Sequence, residues 1–259
     1  MNAQYWNDFA HAYDDTVTDA FTYGRSNTLA NIINRYSSKD LDAADFGCGP
    51  GKILPHLAAR FRTVYAYDFS ARLLNIARQR CTGLKNVKIR KADLSGPVGR
   101  LTQVEVIISL NAAIMPDTDL RLSFLHGMAS RLRPGGHLLL DLPSIESLLY
   151  GTFREIEWHR REGSASQKAE RMADVSCLPR PRMLARGVFY RGGEPTKHYL
   201  REELIVLVRD ELGLDLIDIL KMEYDWATEM EHNRIPAWMG DPHPWDWLVI
   251  AKARNQGEE

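Results

Sequence analysis

An acid and three glycines at alternate positions, Asp45, Gly47, Gly49 and Gly51, stand where a short apolar run (41–46) gives way to a helical pattern of Ile53, Leu54, Leu57, Ala58 and Phe61. Glycine at this spacing lets the chain turn sharply and lets a ligand come closer to the backbone than any Cβ would permit. The start of the helix then directs free N–H groups at whatever lies in the turn. A second run, 63–68, ends in another acid, Asp68, about twenty residues beyond the first glycine, a place from which a carboxylate can accept both hydroxyls of a ribose. The chemistry such a set suits is the holding of a nucleoside.

Three nucleoside-bearing ligands compete for the turn. A Walker loop needs Gly, four residues, then Gly-Lys-Ser/Thr. Here Phe46 occupies the first position and Ile53 follows Lys52, so no hydroxyl is offered to magnesium. A nicotinamide dinucleotide wants a further glycine at position 52 for close packing of helix on strand. Lys52 stands there, which weakens that reading without removing it.

S-adenosylmethionine is the third. Asp45-x-Gly47-x-Gly49-x-Gly51 resembles the first motif of the class I (Rossmann-like) S-adenosylmethionine-dependent methyltransferase family, and more of that family's elements follow in order. They are the strand ending in Asp68-Phe69, Asp93-Leu94 after a third strand, the buried-type strand 104–109 leading into Leu110-Asn111, and the turn Pro134-Gly135-Gly136 before a fifth strand ending at Asp141. The resemblance covers roughly residues 41–142 and implies roles for single residues. Asp45, Gly47, Gly49, Leu110 and Asn111 would border the cofactor, Asp68 and Phe69 its ribose, and Asp93 and Leu94 its adenine. An N-terminal helix carrying Phe-Ala-x-x-Tyr-Asp would fold over it, with Tyr13 and Arg25 as candidates for the methionine carboxylate. Arginine suits that task because its planar fork donates two parallel bonds. Four of these residues have plainer alternatives: Asp68 as the cap of a helix from 71, Asp93 as a turn former, Tyr13 as an aromatic packed in the core and Arg25 as a solvated charge.

These residues need a frame. Helices are expected at 2–14, 26–36, 51–60, 71–81 and 117–132, alternating with strands from 41 to 142, which argues for a mostly parallel sheet covered on both faces. After 144 the alternation stops. A short helix (145–150) and strand-like segments at 153–160, 173–178 and 183–190, the last ending in Arg191-Gly192-Gly193, read as a small antiparallel β insertion. A helix 201–212 and strands 214–222 and 244–251 follow. The family resemblance implies a Rossmann-like, seven-stranded, mostly parallel α/β sheet whose last strand is antiparallel. It also implies one domain over 1–259: a helical cap (1–36), a cofactor core (37–143), a substrate-side insertion (144–198) and a final segment (199–259). Ligands in open α/β sheets bind outside the carboxyl ends of the strands. The insertion and the stretch 224–243 both start there, so both are expected to overhang the cofactor and build the acceptor pocket.

Methyl transfer from a sulfonium discharges the sulfur, and the neutral leaving group needs no acid. Holding nucleophile and methyl in line with water excluded supplies much of the acceleration. An amine needs only its neutral form, whereas a hydroxyl usually wants a base. The candidates for that base are His159, His232 and His243, with His198, Glu157 and Asp225 behind them. His232 and His243 lack any recognised metal-ligand spacing, and no metal is expected. Tyr5, Trp6, Tyr190, Tyr224, Trp226 and Trp238 could form an aromatic wall for a planar or cationic substrate. After the fourth strand the chain reads Ser109-Leu110-Asn111-Ala112-Ala113, not the Asn/Asp-Pro-Pro-aromatic of enzymes that methylate exocyclic amines of nucleic acids.

The 259 residues carry 33 Lys and Arg against 34 Asp and Glu, a net charge of −1, so no global field favours nucleic acid or membrane. Cys48, Cys81 and Cys177 lack CxxC spacing, the first residues show no secretory pattern, and no run approaches a membrane span, so a cytoplasmic protein is expected. The expected activity is transfer of a methyl group from S-adenosyl-L-methionine to N or O of a small molecule, leaving S-adenosyl-L-homocysteine. An NAD(P)-dependent oxidoreductase, a non-catalytic S-adenosylmethionine-binding protein and, as a minor variant, an RNA methyltransferase remain open alternatives.

Overall fold

The strands Asp42–Phe46, Val104–Leu110 and residues 138–142 are buried nearly throughout, without the in–out alternation of a strand that faces water on one side. Such strands must be covered on both faces. In the computed structural model, which describes residues 3–11, 13, 20–98, 100–173, 181–191, 194–230 and 235–255, they form the centre of a seven-stranded sheet. The strands in chain order are β1 (Asp42–Phe46), β2 (Thr63–Asp68), β3 (Val87–Lys91), β4 (Val104–Leu110), β5 (Leu132–Pro143), β6 (Val188–Arg191), β7 (Glu194–Lys197), β8 (Asp215–Glu223) and β9 (Trp245–Lys252). The sheet order is β3-β2-β1-β4-β5-β9-β8. β1 to β5 run parallel, and β9 lies antiparallel between β5 and β8.

Alternate residues feed two cores, one on each face. Ala44, Phe46, Ile107, Leu138 and Leu140 pack with Phe124, Leu125 and Met128 of the helix Thr118–Ala129. Ala43, Val64, Ala66, Val106 and Ile108 pack with Ile33 of Thr28–Tyr36 and with Leu74 and Ala77 of Ala71–Arg80. β1 has β2 on one side and β4 on the other, so the strand order reverses between β1 and β4. A crevice opens at the carboxyl ends of strands where such a reversal occurs. The glycine turn after β1 and Asn111 after β4 therefore flank the same opening.

The expected elements of the sheet are present, with differences outside it. The first turn of the predicted helix 51–60 is lost to the glycine bend, leaving Leu54–Ala58. The cap helices are shorter than expected, Ala3–Phe9 and Thr28–Tyr36, the second preceded by a 3-10 turn in which Ser26 and Asn27 take left-handed φ of 58° and 52°. The larger correction concerns the insertion. Residues 153–160 are not a strand: Ile145–Arg161 is one continuous helix, capped by Ser144 Oγ accepting from Ser147 N at 3.0 Å. Glu157 pairs with Arg154 and Arg161 along it, and Leu149, Phe153 and Ile156 recur at helical spacing. Helices Ser166–Ala173 and Pro181–Leu184 follow. The antiparallel part is a single hairpin, β6 with β7, and most of 173–178 lies outside the described residues. Among the described residues no helix is long and apolar enough to cross a membrane.

Gly51 fixes the bend that starts the Leu54–Ala58 helix. Its φ is +76°, and a Cβ there would lie 2.8 Å from Leu54 Cδ1 and 2.9 Å from Ala77 Cβ. Left-handed backbone costs a residue with Cβ about 1–2 kcal/mol, and overpacking adds about 1–3 kcal/mol. Gly51→Ala is expected to lower stability by about 2–4 kcal/mol in denaturant titration. A loss below about 0.5 kcal/mol would contradict this account of the turn.

Candidate active site

The glycine turn does not present free N–H groups, contrary to the expectation from its spacing. Gly47 N and Cys48 N both donate to Tyr67 O, at 2.8 and 3.0 Å, and Gly51 N donates to Cys48 O at 2.9 Å. Gly49 N donates to Asp68 Oδ2 at 2.9 Å, and Pro50 has no N–H. What the turn offers a ligand is proximity, since Gly47 has φ +82° and no Cβ could stand between it and Ala112. It is a poor cradle for a phosphate.

Asp68 ends β2 with its second oxygen accepting from Ser70 N at 2.8 Å. It does not cap the next helix. Ser70 does, its hydroxyl accepting from Leu73 N. Burial raises the Asp68 carboxyl above its ordinary range, and the N–H groups of Ser70 and Gly49 partly offset that. Asp93 is exposed and accepts from the backbone and hydroxyl of Ser95 at 3.0 and 2.7 Å, an Asx turn at the edge of the same opening.

A cavity of about 390 Å³ joins these groups. Gly47, Gly49, Asp68, Phe69, Asp93, Leu94, Leu110 and Asn111 all border it, and Trp6 and Tyr13 close it from the cap side. Tyr13 is seated against the turn: a Cβ on Gly49 would lie 3.3 Å from its hydroxyl oxygen. The far wall is apolar, made by Ile114, Met115, Leu120 and Phe124. Sequence reasoning missed this wall, whose signal is the uncharged stretch Ala112-Ala113-Ile114-Met115 directly after β4.

A smaller cavity of about 60 Å³ adjoins the first, sharing Tyr13, Gly47, Leu110 and Asn111 with it, and is also bordered by Asp45, Cys48 and Lys52. Two buried oxygens on its walls, Asp45 Oδ2 and Asn111 Oδ1, have no hydrogen-bond partner. Burial and the nearby charge of Asp68 push the Asp45 carboxyl up to about 8. Burial likewise raises the Cys48 thiol, in keeping with a small structural residue and not a nucleophile.

The remaining candidates lie elsewhere. Arg25 is ion-paired with Asp225 and borders neither cavity. His159 stacks on Trp158 on the long helix, and His243 sits 3.3 Å from the carboxylate of Asp241. His232 lies outside the described residues. Of the six expected wall aromatics, only Trp6 borders the opening. Trp226 and Trp238 instead surround the Arg154 guanidinium together with Tyr150, at 5.7, 5.3 and 5.8 Å from the ring centres.

A cluster the sequence reading passed over stands beside Asn111. Its Nδ2 donates to Asp141 Oδ2 at 3.0 Å and to Asp246 Oδ2 at 3.3 Å, and Tyr224 Oη donates to Asp246 Oδ2 at 2.8 Å. Asp141 is fully buried, and burial together with Asp246 raises its carboxyl well above the ordinary range. Its signal was an acid inside the apolar run Leu138-Leu139-Leu140-Asp141-Leu142.

Comparison with known proteins agrees with this geometry. Residues 43–136 match the family model described as "Methyltransferase domain". A curated dTDP-3-amino-3,6-dideoxy-alpha-D-glucopyranose N,N-dimethyltransferase of Streptomyces fradiae is 44% identical over 52 residues, which is 20% of each chain. The match thus spans about a fifth of that relative's length. Among solved structures, a SAM-dependent methyltransferase from Anabaena variabilis superposes with a TM-score of 0.63 at 13% identity, covering 98% of this chain and 96% of that one. The N-methyltransferase NodS from Bradyrhizobium japonicum, in complex with S-adenosyl-l-homocysteine, gives 0.57 at 12% identity over 95% and 98%. At these identities the likeness is one of fold.

Asp45 makes stability depend on pH. Its carboxyl titrates near 4 when unfolded and at about 8 when folded, so the folded state holds the proton longer. The stabilisation is complete below the unfolded value and is lost as pH rises through the folded one. The Tm of the wild type without added ligand is expected to fall between about pH 4 and 8, and less steeply in Asp45→Asn. Equal slopes in thermal melts would contradict the assignment.

Proposed function

We propose that this chain, whose fold is that of the class I (Rossmann-like) S-adenosylmethionine-dependent methyltransferases, binds S-adenosyl-L-methionine in the two joined cavities and transfers its methyl group to a small molecule by in-line displacement. The observation that carries the reading is the match between polar groups and wall. Two unpaired buried acceptors, Asp45 Oδ2 and Asn111 Oδ1, border the smaller cavity beside a cationic Lys52, while Asp68, Asp93 and an apolar wall border the larger. A buried acceptor without a partner calls for a donor. An amino-acid head supplies an ammonium for the two oxygens and a carboxylate for a cation.

In this reading Asp68 receives the ribose hydroxyls. Asp93 would accept from the adenine amino group, and Leu94 and Phe69, which border the same cavity, would hold its ring. Lys52, not Arg25, supplies the positive charge facing the carboxylate, because Lys52 borders the smaller cavity and Arg25 borders neither. The bound cofactor supplies an electrophilic methyl on a sulfonium. The protein's part is to hold it at the switch point of the sheet, with Trp6 and Tyr13 excluding water from the opening. A dinucleotide is disfavoured because the N–H groups of Gly47, Cys48, Gly49 and Gly51 are already bonded within the chain and are not offered to a pyrophosphate. The S. fradiae relative and NodS are both named for methylation of nitrogen, which favours N over O for the acceptor here.

Calorimetry with S-adenosylhomocysteine and with methylthioadenosine, which lacks the amino-acid head, tests the division of the site. Asp68→Ala is expected to weaken both by about 100-fold, as loss of charge-assisted bonds would. Lys52→Met is expected to weaken only the first, by about tenfold. Absence of S-adenosylhomocysteine binding in the wild type would end the reading.

A further inference from the structure

The stretch after β4 walls the larger cavity, although neither a ladder nor a helix holds it in place. Asn111, Ala112, Ile114 and Met115 border that cavity, and Ala113 among them is turned into the core. Residues 111–117 belong to no strand or helix, so their main-chain groups need partners from elsewhere. Three successive carbonyls find them in separate places. Ala113 O accepts from Tyr199 Oη, Ile114 O from Lys197 N at 2.9 Å, and Met115 O from Arg121 Nη1 at 2.6 Å. None of Tyr199, Lys197 and Arg121 borders either cavity.

Tyr199 is itself firmly held. Its N–H donates to Pro143 O at 2.8 Å and its carbonyl accepts from Ile145 N at 3.1 Å, where β5 passes into the long helix. The residue is 1% exposed, and Lys197 Nζ lies 4.8 Å from the centre of its ring. That ammonium donates in turn to Glu203 Oε2 at 2.7 Å and to Arg186 O at 3.0 Å. Phenylalanine would fill the same space without a polar group to bury. What the hydroxyl adds is the place of Ala113, and with it the place of the neighbours that face the cavity. The Arg121 guanidinium does the same one step further on, since it also reaches Asp117 O at 3.3 Å and so ties Met115 to the start of the helix Thr118–Ala129.

We propose that Tyr199 and Arg121 are positioning residues for the cofactor cavity: from behind the wall they set the 111–115 stretch in the conformation that receives the adenosyl part of the cofactor. This rests on the cofactor reading above. Once either donor is removed, the ligand has to order the stretch itself, and ordering a mobile segment on binding lowers affinity.

Calorimetry and methyl NMR test this together. Tyr199→Phe is expected to weaken S-adenosylhomocysteine and methylthioadenosine alike by about fivefold, the worth of one neutral hydrogen bond, with the number of sites per chain unchanged. Fewer sites at unchanged affinity would mark a merely less stable protein and overturns the proposal. In protein labelled at its methionine methyl groups, the Met115 signal of the ligand-free variant is expected to shift. That of Met222, in the core on the opposite face of the sheet, is expected to stay. A Met115 signal that does not move overturns the proposal as well. Arg121→Met keeps the stem and removes the donor to Met115 O, so it serves should the first variant not fold, with the same loss expected for both ligands. An affinity within about twofold of the wild type in either folded variant overturns the proposal. A wild type that binds no S-adenosylhomocysteine brings down the cofactor reading instead, and this role with it.

Discussion

A row of buried carboxyl groups along one edge of the sheet is the constraint to which the rest of the structure answers. Asp45, Asp68 and Asp141 lie at or near the carboxyl ends of three parallel strands, each almost wholly removed from water, and burial raises the carboxyl of each. Only Asp68 is well served by donors, from the glycine turn and from Ser70. Folding alone would not favour such a row, because apolar residues in the same places would pack without desolvation cost. An edge built this way is pre-organised for ligands that carry positive charge and N–H or O–H donors. A sulfonium bearing an amino-acid head and a ribose is such a ligand, and so is an amine.

The turn after β1 shows how that edge is kept in place. Its N–H groups are bonded to Tyr67 O, Asp68 and Cys48 O, so β1, β2 and the bend between them form one hydrogen-bonded unit. The turn is stiff because it is satisfied internally, and this stiffness, not a set of free donors, makes it useful. The cap is tied to the opposite side. Gly24 bridges to Tyr224, Arg25 pairs with Asp225, and Asn7 accepts from Ser70 at the start of the next helix. The segment that closes the opening is thus fastened both at β2 and beyond β8. The long helix Ile145–Arg161 holds the 224–243 stretch through Arg154 among aromatic rings and through Tyr150 Oη donating to Pro242 O. Rings that could have faced a substrate are used to secure a roof.

The parallel strands, their order and the residues around the larger cavity were legible in the chain because each depends on short-range pattern. Apolar runs give strands, Gly47 and Gly49 give a bend, and an acid at a strand's carboxyl end must face the crevice. The insertion was less legible. Residues 153–160 mix charged and apolar side chains closely enough to imitate alternation, and only the i to i+4 pairing of Glu157 with Arg161 and the cap at Ser144 reveal a helix. Arg25 was assigned by its type, but its partner Asp225 is two hundred positions away in sequence, beyond any local pattern. The Asp141–Asp246 pair was hidden for the same reason. Each acid alone reads as the polar residue of a strand, and only the register of β5 with β9 brings them together.

Asn111 joins the two halves of this edge, and its residue type follows from that position. Its φ of 49° is left-handed, a region that asparagine tolerates better than most side chains. Its backbone N–H donates to Asp141 O at 3.0 Å, so the bend after β4 is pinned to β5. Its amide nitrogen serves two carboxylates, while its oxygen remains unpartnered and the residue borders both cavities. An aspartate there would add a third charge to a pair that already resists ionising, and a serine would be too short to serve both acids. Glycine would allow the bend and serve neither. A neutral side chain with a donor at one fork and an acceptor at the other lets one residue keep the acids apart from the turn while bonding to the first and bordering the space of the second.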